Sequence, residues 1–525
     1  MDISSRSFSS RRQWTLVAVV ACGAFITALD QTVVVTALPA VMADLKVPII
    51  RLESVIWVVT AYLLGYTVAM PLLGRLADVH GYVRVYWASL AVFGIGTTLV
   101  ALTGESEWLN GVLEPLDQIV AARVIQAIGG GGAVPISLAI AAALTAPHHR
   151  GLALGIVAGA AEAGSMLGPA YGGAVIEIWG WRAIFWLNVP QAAAIAAALF
   201  WVPKRAATGA RMDYRGAAIL TVALVLVSLA FGHEGLFRAE SWIPFALLAG
   251  CALCVGALVW AQRRTVEPIL SGALFRTWAF VTANACQLLV GVALIIAMAT
   301  TVIMANTVMN RPERPVDAVT AALWLLRMTA TIPVFAILGG WLLRWVDARW
   351  ITVGGLALIA FGMFRLSGWP VEIAEPRLTL DMVMAGVGFG LVIAPLMHRA
   401  IAAAPHEYRA VSASTVVVAR MLGMTLGMAA LSAWGVNEFL AILAETPSPL
   451  TMTGLDAEAR LRAIAEYRET VETASLGLFH TFYRVAGIIA LVAMVPAILM
   501  RASAREREES VHPSTDSGER RQIGG

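Results

Sequence analysis

The chain has 525 residues, 59% of them hydrophobic and 14% charged, with a mean hydropathy of +0.76. Soluble proteins carry roughly 25% charged residues, so this composition belongs to a chain embedded in lipid. The net charge of +3 is too small to argue for a nucleic-acid partner, and the four cysteines (Cys22, Cys251, Cys254, Cys286) all lie inside apolar runs as packing residues, which excludes a disulfide framework.

In chain order, apolar runs bounded by charged or Gly/Pro-rich turns predict fourteen membrane spans. They lie near 14–39, 54–77, 83–103, 117–144, 151–178, 183–203 and 215–232, then 242–262, 278–307, 319–343, 350–368, 382–404, 410–440 and 476–500. Ser10-Arg11-Arg12 faintly resembles a twin-arginine signal. The run behind it reaches Pro39, contains Asp30 and has no cleavage site, so it reads as the first span. An even count puts both termini on one side. The tail and short loops of that side carry seventeen lysines and arginines, Arg11, Arg12, Lys204 and Arg205 among them; short loops opposite carry seven. The positive-inside rule then makes both termini cytoplasmic and the chain a multi-pass protein of the inner membrane. The expected organisation is a cytoplasmic tail at 1–13, a six-helix bundle at 14–204, two linker spans at 205–277 and a second six-helix bundle at 278–500. A disordered tail follows at 501–525. The fold class is all-α and polytopic.

Enzyme chemistry has no visible carrier. Neither lysine (Lys46, Lys204) follows a glycine, so there is no Walker A loop, and Gly386-x-Gly388-x-Gly390 lies inside an apolar span as a packing pattern. No catalytic motif, metal cluster or cofactor site is legible. An energy source other than bound nucleotide is implied, namely the proton gradient.

Three stretches carry a family resemblance. Gly74-Arg75-Leu76-Ala77-Asp78-Val79-His80-Gly81, followed by Arg84, resembles the loop signature G-x-L-x-D-R-x-G-R-K, with Val79 and Tyr82-Val83 in place of basic residues. Gly155, Gly164, Gly168-Pro169 and Gly172-Gly173 match the antiporter signature g-x8-G-x3-G-P-x-x-G-G at every position. Small residues let helices approach closely, and Pro169 removes a backbone donor, so this helix can bend. Arg123-x-x-Gln126-Ala127-x-Gly129 is similar to R-x-x-Q-G-x-G. Asp30-Gln31-Thr32 through Leu38-Pro39, and Trp181 through Asn188-Val189-Pro190, complete the set. The chain resembles the 14-span drug:proton antiporters of the major facilitator superfamily. That resemblance implies two six-helix bundles plus two linker helices, and export against protons.

Ionisable residues inside spans cost several kcal/mol unless paired or hydrated. Asp30, Arg123, Glu162, Arg327, Arg365, Arg420 and Arg484 are such residues. Arg365 and Arg484 lie near span ends, where snorkelling is the plainer account. At 1.5 Å per residue, Glu162 and Arg420 come to similar depth on opposite bundles, while Asp30 and Arg123 can meet within one. The expected roles are Asp30 and Glu162 as proton-coupling acids, with Arg123, Arg420, Arg327 and Arg484 as ion-pair or lock residues. The competing account is static salt bridges that only specify packing.

Within the family, Val59 through Gly74, Ala161 through Gly172, and Val416 through Gly435 resemble the mycobacterial exporters of triacylglycerides. The likeness implies lipophilic cargo, membrane lipid around it and an extracytoplasmic lipid-carrier lipoprotein as partner; a monomer is expected. One physical feature agrees. Helical pattern runs on either side of Pro447, Pro449 and Gly454 well beyond span length, with Leu461, Ile464, Tyr467 and Val471 as an apolar stripe. This predicts an extracytoplasmic helical hairpin at about 440–475 that could serve as a lipid track; an interfacial helix lying flat is the alternative. Multidrug efflux and a non-transporting scaffold are the other functional readings.

Overall fold

The computed structural model describes residues 10–45, 52–105, 113–202, 212–232, 242–265, 268–269, 272–309, 318–445 and 457–500. Lipid offers no partner to a backbone polar group, so each segment must satisfy its own. The described residues accordingly form helices and no strand. The first half comprises α1 (Ser10–Asp44), α2 (Leu52–His80), α3 (Tyr82–Ala101), α4 (Pro115–Gly130), α5 (Ala133–Leu144), α6 (Pro147–Trp179) and α7 (Trp181–Ala198). Then come α8 (Tyr214–Gly232), α9 (Ile243–Gln262) and the short α10 (Gly272–Arg276). The second half comprises α11 (Trp278–Thr307), α12 (Ala318–Thr329), α13 (Thr331–Leu342), α14 (Ala348–Leu366), α15 (Glu375–Ala403), α16 (Arg409–Glu445) and α17 (Ala457–Leu499).

Among the described residues, thirteen helical segments are long and apolar enough to cross a membrane, and Tyr214–Ala230 in α8 is a shorter apolar helix. Two runs that read as unbroken in sequence are each split. α4 and α5 part at Gly131–Gly132, at the end of a four-glycine run that weakens the helix. α12 and α13 part at Ala330, beside Pro333, whose missing N–H strips the Thr329 carbonyl of its helical donor.

Gly81 (φ 97) and Gly180 (φ 82) make tight turns at opposite ends of the first bundle. Both sit at positive φ, where a side chain would clash with the backbone. One apolar core runs through both bundles; a smaller cluster around Val33, Ala37, Val100, Trp181 and Phe185 fills the Gly180 end of the first. The bundles meet toward the Gly81 end. There a Cβ on Gly74 of α2 would lie 2.9 Å from the Ala410 carbonyl of α16, and one on Gly155 of α6 2.8 Å from the Ala336 carbonyl of α13. Toward the Gly180 end, Leu167, Pro169 and Ala170 of α6 are exposed.

α16 has 37 residues and α17 has 43, about 55 and 65 Å of helix against a hydrocarbon core of about 30 Å. The turn at Pro447–Gly454, the side chain of Leu461 and the tails 1–9 and 501–525 lie outside the described residues.

Candidate functional site

Two charged centres form inside the protein, one within the first bundle and one between the bundles. In the first, Asp30 of α1 and Arg123 of α4 are both fully buried and pair at 2.9 Å. Gln126, one turn along α4, donates to Asp30 Oδ1 at 3.0 Å and accepts from Arg123 at 2.7 Å. Asn188 of α7 donates to the same Oδ1 at 2.6 Å. The Arg123 guanidinium lies 3.8 Å from the ring centroid of Tyr62, so the aromatic face adds cation–π attraction. Close helix approach makes this possible: a Cβ on Gly96 of α3 would fall 2.4 Å from the Gln126 backbone nitrogen. Asp30 is thus held by three donors in a site dry enough to strengthen each bond.

The second centre joins the bundles. Glu162 of α6 forms an ion pair with Arg420 of α16, the two side chains 14% and 12% exposed. A small cavity beside it is lined by Gln31, Tyr66, Glu162, Ser165, Met397 and Arg420. Gln31 faces this cavity while its neighbour Asp30 faces the interior of the first bundle. One turn of α1 therefore touches both centres.

A third group ties the bundles at the Gly81 end. Asp78 of α2 accepts from the backbone nitrogens of Ala410 and Val411 at 3.1 Å each, capping the start of α16. Arg75 donates to the Glu407 carbonyl at 2.9 Å and lies 4.2 Å from the Tyr408 ring centroid. Arg84, placed with this loop by its spacing, is exposed on α3 and takes no part.

The antiporter glycines divide between two surfaces. Gly164, Gly168 and Gly172 press α6 against α1, where added Cβ atoms would fall 2.2, 2.0 and 2.5 Å from Phe25, Thr32 and Thr36. Gly155 instead faces α13 across the bundle boundary, beside Gly151 and Gly159, which the sequence pattern does not single out. Gly173 meets nothing within 4 Å.

Three arginines stand apart from both centres. Arg327 pairs with Glu375 at 2.6 Å and donates to Thr379 at 2.8 Å, at a partly exposed edge of the second bundle. This pair joins α12 to α15 within the second bundle and does not reach the first. Arg484 is exposed on α17. Arg365, assigned to snorkelling, instead pairs at 2.6 Å with the fully buried Asp381, which also accepts from Trp369 at 3.0 Å. Asp381 was missed because it lies one residue before the apolar run taken as its span. Asn188 was visible inside the Trp181–Pro190 stretch, but nothing local marks its partner. Ile464, Tyr467 and Val471 are half-buried on α17. Among the described residues, no group of His, Cys, Asp and Glu could hold a metal ion.

Two helical bundles closing on one another around a half-buried inter-bundle ion pair define a polytopic membrane transporter. The family model "Major Facilitator Superfamily" matches residues 20–428, and the chain belongs to that family. A triacylglyceride transporter of Mycolicibacterium hassiacum is 33% identical, over 98% of this chain and 96% of that one. One from Mycobacterium tuberculosis is 32% identical, over 92% and 93%. Among solved structures, a proton:xylose symporter with a bound bromodeoxyglucose has a TM-score of 0.58 at 15% identity, covering 93% of this chain and 95% of its own. A human organic anion transporter has a TM-score of 0.55 at 15% identity, covering 92% and 100%. Those two likenesses concern the fold.

Proposed function

We propose that this transporter is a proton-coupled exporter of lipophilic cargo, and that the cargo is a triacylglyceride-like lipid. The observation that carries the coupling is the Glu162–Arg420 ion pair at the boundary of the two bundles. When Glu162 is ionised, the pair holds the bundles together; protonation removes the attraction and lets them rock apart. Asp30 and Arg123 form the second protonatable pair, connected to the cavity through the turn of α1 that carries Gln31. The excess of basic residues in one set of loops supports cytoplasmic termini in an inner membrane, which makes the Gly81 end cytoplasmic and the closed gate the inner one. In this reading α8 is the fourteenth span, completing the linker pair with α9. The chain is a monomer and carries no catalytic group.

The lipid cargo is supported by the names of the relatives and by the lengths of α16 and α17. Each CH₂ of a lipid exposed to water costs about 0.8 kcal/mol, so a triacylglyceride needs an apolar path to a carrier, here a lipid-carrier lipoprotein. The extensions of α16 and α17, with Ile464, Tyr467 and Val471, supply that path. Multidrug efflux is the second reading, since the antiporter glycines serve it equally well.

The test uses proteoliposomes with an imposed proton gradient. Asp30→Asn and Glu162→Gln should each reduce active export to the level of passive leak while the protein stays folded. Export untouched in both variants would refute coupling through these acids. Joining α16 to α17 by a minimal turn should impair lipid export and spare efflux of a cationic dye. Intact lipid export, or equal loss of both in a folded protein, would put multidrug efflux first.

A further inference from the structure

Pro169 lies inside α6 and has no backbone N–H, so the carbonyl of Ser165, four residues earlier, loses its helical donor. A side chain from another helix replaces it. Thr32 Oγ1 of α1 donates to the Ser165 carbonyl at 2.9 Å. The same hydroxyl is 3.3 Å from the Leu29 carbonyl of its own helix, where a threonine hydroxyl ordinarily binds. One hydrogen thus has two acceptors, and the nearer lies across the seam. Gly168 clears the way, because a Cβ there would sit 2.0 Å from Thr32 Oγ1.

The second bundle provides an internal control. Gly423 and Gly427 of α16 press on Leu288 and Val292 of α11 at the spacing with which Gly164 and Gly168 press on Phe25 and Leu29. At the register of Thr32, α11 carries Ile295, whose Cγ2 would lie 2.7 Å from a Cβ on Gly427. α16 contains no proline, so the carbonyl at the register of Ser165, that of Met424, keeps its own helical donor. The hydroxyl is found on the seam where a carbonyl has been freed, and an aliphatic side chain on the seam where none has.

The geometry points to Thr32 as a positioning residue of the transport cycle. Its hydroxyl ties the proline-interrupted turn of α6 to α1 and thereby holds Glu162, one turn before Ser165, against Arg420. The bond also links the helix of Asp30 to the helix of Glu162, two residues from one acid and three from the other. This role rests on the coupling assigned to Glu162, but its test does not.

The ratio of open to closed bundles is read from spin-label distances between their Gly180 ends, at one fixed pH. Thr32→Val keeps the shape and removes the donor, and should change that ratio about threefold to tenfold. Thr32→Ser keeps the donor and should restore the ratio to within about twofold of wild type. Pro169→Ala returns an N–H to the Ser165 carbonyl, and opens no void because Pro169 is exposed. In that background Thr32→Val should have no further effect. The proposal is overturned if Thr32→Val leaves the ratio unchanged beside Pro169, if it acts equally with and without Pro169, or if Thr32→Ser behaves as Thr32→Val does. Because the cycle is read at one pH, it depends on the hydroxyl and the proline alone, whatever the pH response of the wild type.

Discussion

The α1–α6 seam of the first bundle and the α11–α16 seam of the second use the same packing device for different ends. Both bring helices to backbone contact through glycines four residues apart: Gly164 and Gly168 against Phe25 and Leu29, Gly423 and Gly427 against Leu288 and Val292. On the first seam, α1 adds Asp30 and Thr32, and α6 adds Glu162 and Pro169. At the matching registers of α11 stand Ala293, which is buried, and Ile295; α16 is unbroken by proline and contributes Arg420. Of these two seams, the first alone therefore carries titratable acid and a proline-interrupted helix. The second seam presents a positive charge on a helix without proline. In the proposed cycle the switch accordingly lies in the carboxylates and the freed carbonyl, and not in the close packing that both seams share.

The sharpest way to break this contrast is to remove a charge from the first half. Arg123→Met would leave Asp30 buried without its cation, so a loss of about 3–5 kcal/mol of stability is expected, measured by thermal unfolding in nanodiscs. Asp30→Asn in the same chain should recover most of it. A mild effect of Arg123→Met alone would mean that Asp30 is already neutral in this state. The glycines come next. Gly164→Ala and Gly423→Ala would place a Cβ 2.2 Å from the Phe25 carbonyl and 2.0 Å from that of Leu288. Each should cost about 1–3 kcal/mol, as overpacking does. Equal stability losses with export lost only at Gly164 would support a moving first seam and a rigid second one; equal losses of export would dissolve the distinction. Smaller again is the coupling between Glu162 and Arg420. Glu162→Gln with Arg420→Gln should be non-additive by about 1 kcal/mol in the open-to-closed equilibrium, and strict additivity would make the pair a bystander.

How much of this was legible in the sequence follows from what each feature depends on. Spans depend on long apolar runs, so the helices of both bundles fall where the runs do. The breaks at Gly131–Gly132 and Ala330 do not, because a glycine or proline in an apolar run is compatible with a bent helix or a broken one. Depth counting brought Glu162 and Arg420 to one level, yet the same arithmetic could not pair Arg327 with Glu375, a residue of another helix of its own bundle. Asp381 and Asn188 stayed hidden for a common reason: each owes its role to a partner on another helix. The likeness of Gly423-x3-Gly427 to Gly164-x3-Gly168 was available in the sequence. It becomes informative only when both are seen to press on the first helix of their bundle.

The two halves also differ at the Gly81 end, and the smallest expected effect lies there. Asp78 reaches across the boundary to cap α16, whereas Asp347 caps its own helix by accepting from the Arg349 nitrogen at 2.8 Å. Asp347 also accepts from Arg399 at 2.7 Å through each oxygen. Burial alone would raise the Asp347 carboxyl, but the Arg399 hydrogen bonds, the Arg349 N–H and the two positive charges outweigh it and hold the group below the usual carboxylate value of 3.8. A carboxyl lowered on folding stabilises the protein above its unfolded value, and that stabilisation is lost as pH falls through the lowered folded one. The side chain is 46% exposed, so solvent screening keeps the contribution below about 1 kcal/mol. Asp347→Asn keeps an oxygen for the Arg349 N–H and removes only the charge. The variant should therefore be slightly less stable than wild type at pH 6, and the gap should close as the pH is lowered past 3.8. A gap that stays constant through that range would assign the loss to packing around the Arg399 contact and not to the charge of Asp347.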